Sequence, residues 1–407
     1  MISTSSGKSS VLFGHQPFLL YFCARGFSEF SYQMAAVAVG WQVYALTSSA
    51  FELGMIGLVG FIPTVILVFV AGHAADRYDR KRVVQICRST EGLTAAFLGW
   101  GSFAGWLNVP EIFTAVALFG TAAAFESPAQ AALLPAVVPE GMLQKGTALS
   151  TGVWQVAAIS GPAIGGLTYA VAPGVPYALM AMFWLLAGML NGAIKLDQPL
   201  TEKELPTFAD LFAGVRFVRR NKAILGTISL DLFAVLLGGA TALLPIYARD
   251  ILHTGPWGLG VLRGAPAVGA LLMTVVLAHH AINRRVGIRM FQAVIIFGVA
   301  TVVFAISHLI WLSILSLAIM GAADTVSVVI RLSLVQLATP DEMRGRVGAV
   351  NYLFINASNQ LGEFESGATA ALFGAVPATV LGGVGAIAVA LLWMKLFPTL
   401  RNVERLE

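Results

Sequence analysis

Apolar runs of about 20 residues, long enough to cross a bilayer as a helix, follow one another along almost the whole chain, divided by short polar stretches. They predict twelve spanning helices near 18–46, 51–74, 83–106, 110–134, 147–172, 176–195, 223–247, 257–281, 288–308, 310–336, 347–373 and 376–397. The longest polar interruption, 196–222, separates the sixth span from the seventh. Within it Phe208, Leu211, Phe212, Val215, Phe217 and Val218 recur at helical spacing. That pattern predicts an amphipathic helix lying on the membrane surface. The expected organisation is a six-helix half over 1–195, a linker over 196–222, and a second six-helix half with a short tail over 223–407.

Composition removes the soluble alternatives. Of 407 residues, 57% are hydrophobic and 11% charged, against roughly 25% charged in soluble domains. So few charges cannot cover the surface of a soluble chain this long. The 42 glycines suit spanning helices that pack closely. The net charge of +4 is dispersed, so no nucleic-acid surface is expected. Cys23 and Cys87 have neither disulfide nor metal spacing. No cleavable signal precedes the first apolar run. Basic residues collect in alternate connections: Arg77, Arg80, Lys81, Arg82 and Arg88; Lys145; the linker; Arg284, Arg285 and Arg289; Arg344 and Arg346. The opposite connections hold only Arg249. This bias puts both termini in the cytoplasm.

The halves repeat. Leu53-Gly54 recurs as Leu259-Gly260 and His73 as His279, an offset of 206. Pro139-Glu140 recurs as Pro340-Asp341 and Ala148 as Ala349, an offset of 201. Glu29 falls opposite Asp231, an offset of 202. Two pseudo-symmetric halves in parallel repeat are a transporter architecture, with a site near the midplane between them.

A charge at the bilayer centre costs about 2.5–3.5 kcal/mol on insertion scales, so charges in spans are candidates for function. Arg25, Glu29, Glu91, Glu126, Asp231, Arg263, Asp324, Arg331, Glu363 and Glu365 fall in predicted spans or at their ends. Arg25 and Glu29 share a helix face and can pair, and Tyr32 and Gln33 continue that face. Asp231 has no base nearby on its own helix, which suits a proton carrier. Arg263 is positioned either to neutralise it or to bind an anionic substrate. Arg331 lies two turns below Asp324 on one face. Asn356, Asn359, Gln360 and Glu363 form one polar face, with Glu365 nearly opposite Glu363.

Three motifs carry a resemblance. Gly72-His73-Ala74-Ala75-Asp76-Arg77-Tyr78-Asp79-Arg80-Lys81-Arg82 resembles the signature loop of the major facilitator superfamily. Asp76 is expected to cap the third helix and, with Gly72, Arg77, Arg80 and Lys81, to form a conformational latch. The second-half copy has Asn283 near the place of the acid, so the latch is not symmetric. Gly161-Pro162-Ala163-Ile164-Gly165-Gly166 is similar to a helix-bending motif of the superfamily's exporter branches. Thr339 to Val347, with Phe22-Cys23-Ala24-Arg25 and Asn359 to Gly367, resembles the branch that includes the bacterial enterobactin exporter.

The resemblance implies an all-α membrane protein of the major facilitator fold, with the first, fourth, seventh and tenth helices lining a cavity. On that reading Arg25, Glu29, Gln33, Asp231, Arg263, Asp324, Arg331, Asn359 and Glu363 are candidates for proton coupling or substrate binding. The expected partners are a small molecule, protons and the lipid bilayer, with the chain working as a monomer in a bacterial inner membrane. No enzyme activity and no cofactor is expected. Gly7-Lys8-Ser9 lacks the upstream glycine of a phosphate loop, so ATP is not expected to drive the protein directly. The expected activity is proton-coupled export of a siderophore-like molecule, a drug or a metabolite. An importer or facilitator on the same fold, or a non-transporting membrane sensor or partner protein, is the alternative.

Overall fold

The computed structural model describes residues 12–195, 208–280, 282 and 284–405. Among them every regular element is helical. In chain order the main helices are α1 (Gln16–Thr47), α2 (Ala50–Arg77), α3 (Arg80–Ala104), α4 (Val109–Val137), α5 (Leu143–Val171) and α6 (Val175–Gly192). Next come α7 (Phe208–Arg220) and α8 (Lys222–Leu237), the latter prolonged by short helical turns to Ile251. Then follow α9 (Gly255–His279), α10 (Val286–Ile306), α11 (Ile310–Leu337), α12 (Arg344–Phe373), α13 (Ala375–Leu396) and the short α14 (Pro398–Arg401).

Among the described residues, eight stretches are long and apolar enough to cross a membrane. They lie in α2, α4, α6, α8 with its extension, α9, α10, α11 and α13. Helices α1, α3, α5 and α12 are 32, 25, 29 and 30 residues long, so length does not separate them from the rest. Each carries ionisable or hydroxyl-rich faces instead: Arg25 and Glu29 in α1, Arg88 and Glu91 in α3, Ser150 and Thr151 in α5, Glu363 and Glu365 in α12. Such faces belong against protein or water rather than lipid tails.

The chain forms two compact units, 1–42 with 59–205, and 43–58 with 206–407. Small residues set the helix approaches in both. In the first unit, a methyl group built on Gly161 of α5 lies 2.7 Å from Gln33 Cβ, and one on Gly165 lies 3.1 Å from the Met34 backbone. Helix α5 therefore sits against α1 closer than any side chain would allow. Gly92 of α3 takes Leu185 of α6 in the same way. In the second unit, Gly269 and Gly321 bring the backbones of α9 and α11 together, and Gly298 and Gly383 those of α10 and α13.

The segment 43–58, the end of α1 and the start of α2, belongs to the second unit. Gly54 meets the backbone at Gly367 of α12, and the Phe51 and Phe364 rings lie 6.1 Å apart. The Tyr44 hydroxyl donates to Asp250, while Arg249 donates to the Tyr44 carbonyl at 3.0 Å and to Ser48 Oγ at 3.2 Å.

Helix α7 is amphipathic, and the described part of its apolar side packs on protein. Val215, Phe217 and Val218 pack with Ile224, Val335, Val347 and Val350 of α8, α11 and α12. Gly214 lies against the Arg346 carbonyl. The side chains of 208–212 are outside the described residues.

Candidate functional site

The signature loop forms the turn between α2 and α3. Gly72 and Arg77 lie in the last turns of α2, and Arg77 is exposed. Because α2 runs through Arg77, Asp76 is still helical and cannot cap α3. The residue directly before α3 is Asp79, whose side chain accepts from the Lys81 backbone N–H at 3.1 Å and takes the role expected of Asp76. Lys81 Nζ donates to the Ile194 carbonyl at 3.2 Å and Arg80 to the Ala132 carbonyl at 3.5 Å, fixing the loop's bases to the ends of α6 and α4. The Asp76 side chain and Asn283 lie outside the described residues. In α5, Gly161, Pro162, Gly165 and Gly166 are all buried, and the first and third make the contact with α1 at Gln33 and Met34.

Two groups of ionisable side chains are buried among apolar helices, one in each unit. In the second, Arg331 of α11 pairs with Asp231 of α8 and reaches Asp324, two turns back on the same face of its own helix, at 3.7 Å. Asp231 and Arg331 are each 8% exposed, whereas the Asp324 side chain is 46% exposed. The base that Asp231 lacks on its own helix comes from α11, and it is Arg331 rather than Arg263. Asp231 is thus an ion-paired acid, not the isolated proton carrier expected from the sequence. A shallow crevice lies here, where Ala234, Val294 and Phe297 face Asp324, Ser327 and Arg331. It sets an apolar wall beside a carboxyl and a guanidinium.

Arg263 of α9 is the base whose charge acts on Glu363 of α12. A methyl group on Gly57 of α2 would lie 2.9 Å from the Glu363 side chain, so the backbone there touches that acid directly. On the same helix Asn356 and Asn359 donate to the carbonyls of Tyr352 and Ile355, both at 2.9 Å. Glu365 accepts from Thr369 at 2.8 Å. The polar face of α12 is therefore partly turned onto its own backbone.

In the first unit, Arg25 and Glu29 of α1 pair at 3.2 Å, with Tyr21 3.5 Å from the guanidinium. Beyond them lies a group that the sequence did not bring together. Arg88 of α3, expected among the cytoplasmic bases, is fully buried and donates through Nε to Glu126 of α4 at 2.9 Å. Three residues on, Glu91 is 5% exposed, and its carboxyl lies within hydrogen-bonding reach of that of Glu126. Arg88 was grouped with Arg77 to Arg82 because it follows them closely. The available signal was the i, i+3 spacing of Arg88 and Glu91 on one face, together with Glu126 in the next span.

Residues 10–407 match the profile of a family described as transmembrane secretion effector. The enterobactin exporter EntS of Citrobacter koseri is 26% identical over 400 residues, covering 97% of this chain and 95% of that one. EntS of Escherichia coli O81 is 27% identical over 382 residues, 93% of this chain and 87% of that one. Among solved structures, the nucleoside transporter NupG (D323A mutant) superposes with a TM-score of 0.74 at 13% identity, covering 94% of this chain and all of that one. A bacterial homologue of the human lysosomal transporter Spinster, inward-facing and unoccupied, gives 0.74 at 11% identity over 98% of this chain and all of that one. A family profile that spans nearly the whole chain, on an all-helical fold shared with transporters, leads to one conclusion: this is a multi-pass membrane transporter belonging to the transmembrane secretion effector family of the major facilitator superfamily.

Proposed function

We propose that this protein is a proton-coupled exporter of a small organic molecule, working by alternating access in a bacterial inner membrane. Twelve spans form two six-helix halves over 1–195 and 223–407, joined by the linker 196–222, with both termini in the cytoplasm and the monomer as the working unit. The observation that carries this reading is the pairing of a full-length exporter-family match with acids held beside bases inside apolar helices. A soluble-side binding protein has no use for such groups, while a proton-driven carrier needs groups that change charge within the membrane. In this scheme Asp324, Asp231 and Arg331 bind the substrate's polar end. Arg25, Glu29, Gln33, Arg263, Asn359 and Glu363 complete the polar positions along the route. The loop of Gly72, Asp76, Arg77, Arg80 and Lys81 is the conformational latch, and Gly161 to Gly166 the sliding surface of α5 on α1.

The test is uptake into inside-out vesicles with an imposed proton gradient, using enterobactin and a lipophilic cationic dye as probes. Accumulation that rises with the gradient and collapses with an uncoupler supports the reading. Accumulation indifferent to both removes proton coupling, and flux only in the opposite direction replaces the exporter with an importer.

A further inference from the structure

The first unit's buried group has a formal charge problem that its own geometry can solve. Arg88 is 0% exposed and supplies one positive charge. Glu126, 8% exposed, already pairs with it at 2.9 Å. Glu91, 5% exposed, adds a second carboxyl. Among the described residues its Oε2 finds no donor, and neither Arg88 Nη1 nor Nη2 finds an acceptor. The other ionisable groups nearby do not offset the surplus. Glu29 adds another acid, but Arg25 neutralises it at 3.2 Å. Cys87, the neighbour of Arg88 on α3, is an uncharged thiol. From α6, the helix most closely packed on α3, the residue at the Glu91 level is Leu185 beside Gly92, and the one ionisable group, Tyr177, stands two turns away beside Gly99.

Two carboxylates cannot hydrogen-bond each other, because both only accept. Two carboxyls within hydrogen-bonding reach and out of water hold one proton between them, as like charges at such a distance do not both ionise. We infer that Glu91 and Glu126, set around Arg88, form a single-proton binding site in the first unit. With that proton the group is neutral: one guanidinium, one carboxylate, and one carboxylic acid whose O–H donates to the carboxylate. Without it the group bears one unpaired negative charge in a dry interior, a state that needs water or a counter-charge to enter. This rests on the proton-coupled reading for its use in transport, and it places the coupling proton at the α3–α4 seam.

The site is tested by infrared spectroscopy of the full chain in liposomes at neutral pH, reading the C=O stretch of protonated carboxyls and its shift in deuterium oxide. Glu91→Gln replaces a neutral acid by a neutral amide of the same shape and should fold as the unaltered protein does, checked by a single monodisperse elution peak. The band is expected to lose one carboxyl's intensity. Glu126→Gln is expected to lose the same intensity, because the remaining Glu91 then ionises against Arg88. Glu363→Gln, in the other unit, is expected to leave this component unchanged. If Glu126→Gln fails to fold, Glu91→Gln alone decides. A band of full size in Glu91→Gln overturns the inference. Loss of the band with no gradient-driven export by the unaltered protein supports the site and removes the exporter reading. Gradient-driven export with an undiminished band in Glu91→Gln does the reverse.

Discussion

Replacing Arg331 by Gln removes the base between Asp231 and Asp324, and the two acids should feel it very unequally. Asp231 is 8% exposed and directly paired. Taking one partner from a buried pair costs about 3–5 kcal/mol, and leaving an unpaired charge in a spanning helix costs about 2.5–3.5 kcal/mol on insertion scales. The two routes agree near 3 kcal/mol. Asp324 lies 3.7 Å from the guanidinium with a side chain 46% exposed. Water shields that contact, so it contributes about 0–1 kcal/mol. In a unit of this size 1 kcal/mol moves the melting temperature by about 2–4 °C. Arg331→Gln should therefore melt at least about 6 °C below the unaltered protein, and Asp324→Asn within about 4 °C of it. The double variant Asp231→Asn/Arg331→Gln should recover most of the loss, because the charge that remains, on Asp324, is the half-exposed one. The assay is the temperature at which the monodisperse elution peak of the detergent-solubilised protein halves, with heating times matched. A single variant as stable as Asp324→Asn would refute the reasoning. The pair would then contribute no more than an ordinary interhelical hydrogen bond, about 0.6 kcal/mol.

Asp79→Ala should lower stability by about 1 kcal/mol by uncapping α3, while Asp79→Asn, which can still accept from the Lys81 N–H, should lose only a few tenths; thermal melts separate them. Gly165→Val places a branched side chain where even a methyl would sit 3.1 Å from the Met34 backbone, and should abolish flux of any transported probe in vesicles while Gly152→Val, with open space around it, does not. Tyr44→Phe removes the hydroxyl that donates to Asp250; protease accessibility of the 43–58 segment should rise, and an unchanged digestion rate would show that the Arg249 and Gly54–Gly367 contacts hold the segment without it.

The membrane character of the fold was legible because the bilayer demands long apolar runs, and those survive in α2, α4, α6, α8 to α11 and α13. Where the structure departs from the sequence reading, the cause is a contact between distant segments. Asp76 looked like a cap because it precedes the basic run, but helix ends are set by local hydrogen bonding, and α2 continues to Arg77. Arg331 was visible as a partner for Asp324, since both lie on one helix face. Its pairing with Asp231 depends on how α8 meets α11, about which spacing says nothing. Arg88 shows the same limit more sharply. Arg80 to Cys87 precede it in the same helix, yet only the packing of α3 against α4 and α6 shows that it points into protein rather than water.

Each unit places one arginine between two carboxyls, and exposure separates their chemistry. In the second unit the surplus acid, Asp324, is half-exposed in a shallow crevice. A ligand's polar group can reach its carboxyl there, as it cannot reach one enclosed among packed helices. In the first unit both acids are buried, and the surplus charge has no such outlet, so a proton must supply it. On the proposed proton-coupled reading, a carrier needs one group that meets its cargo and another that holds the proton. Neither the number of acids nor their depth in the sequence distinguishes them, since both groups read as two acids and a base. What distinguishes them is which acid water can reach. Coupling should therefore respond to changes that wet the α3–α4 seam, such as Leu185→Ser against Gly92, more strongly than to charge-conserving changes at Asp324.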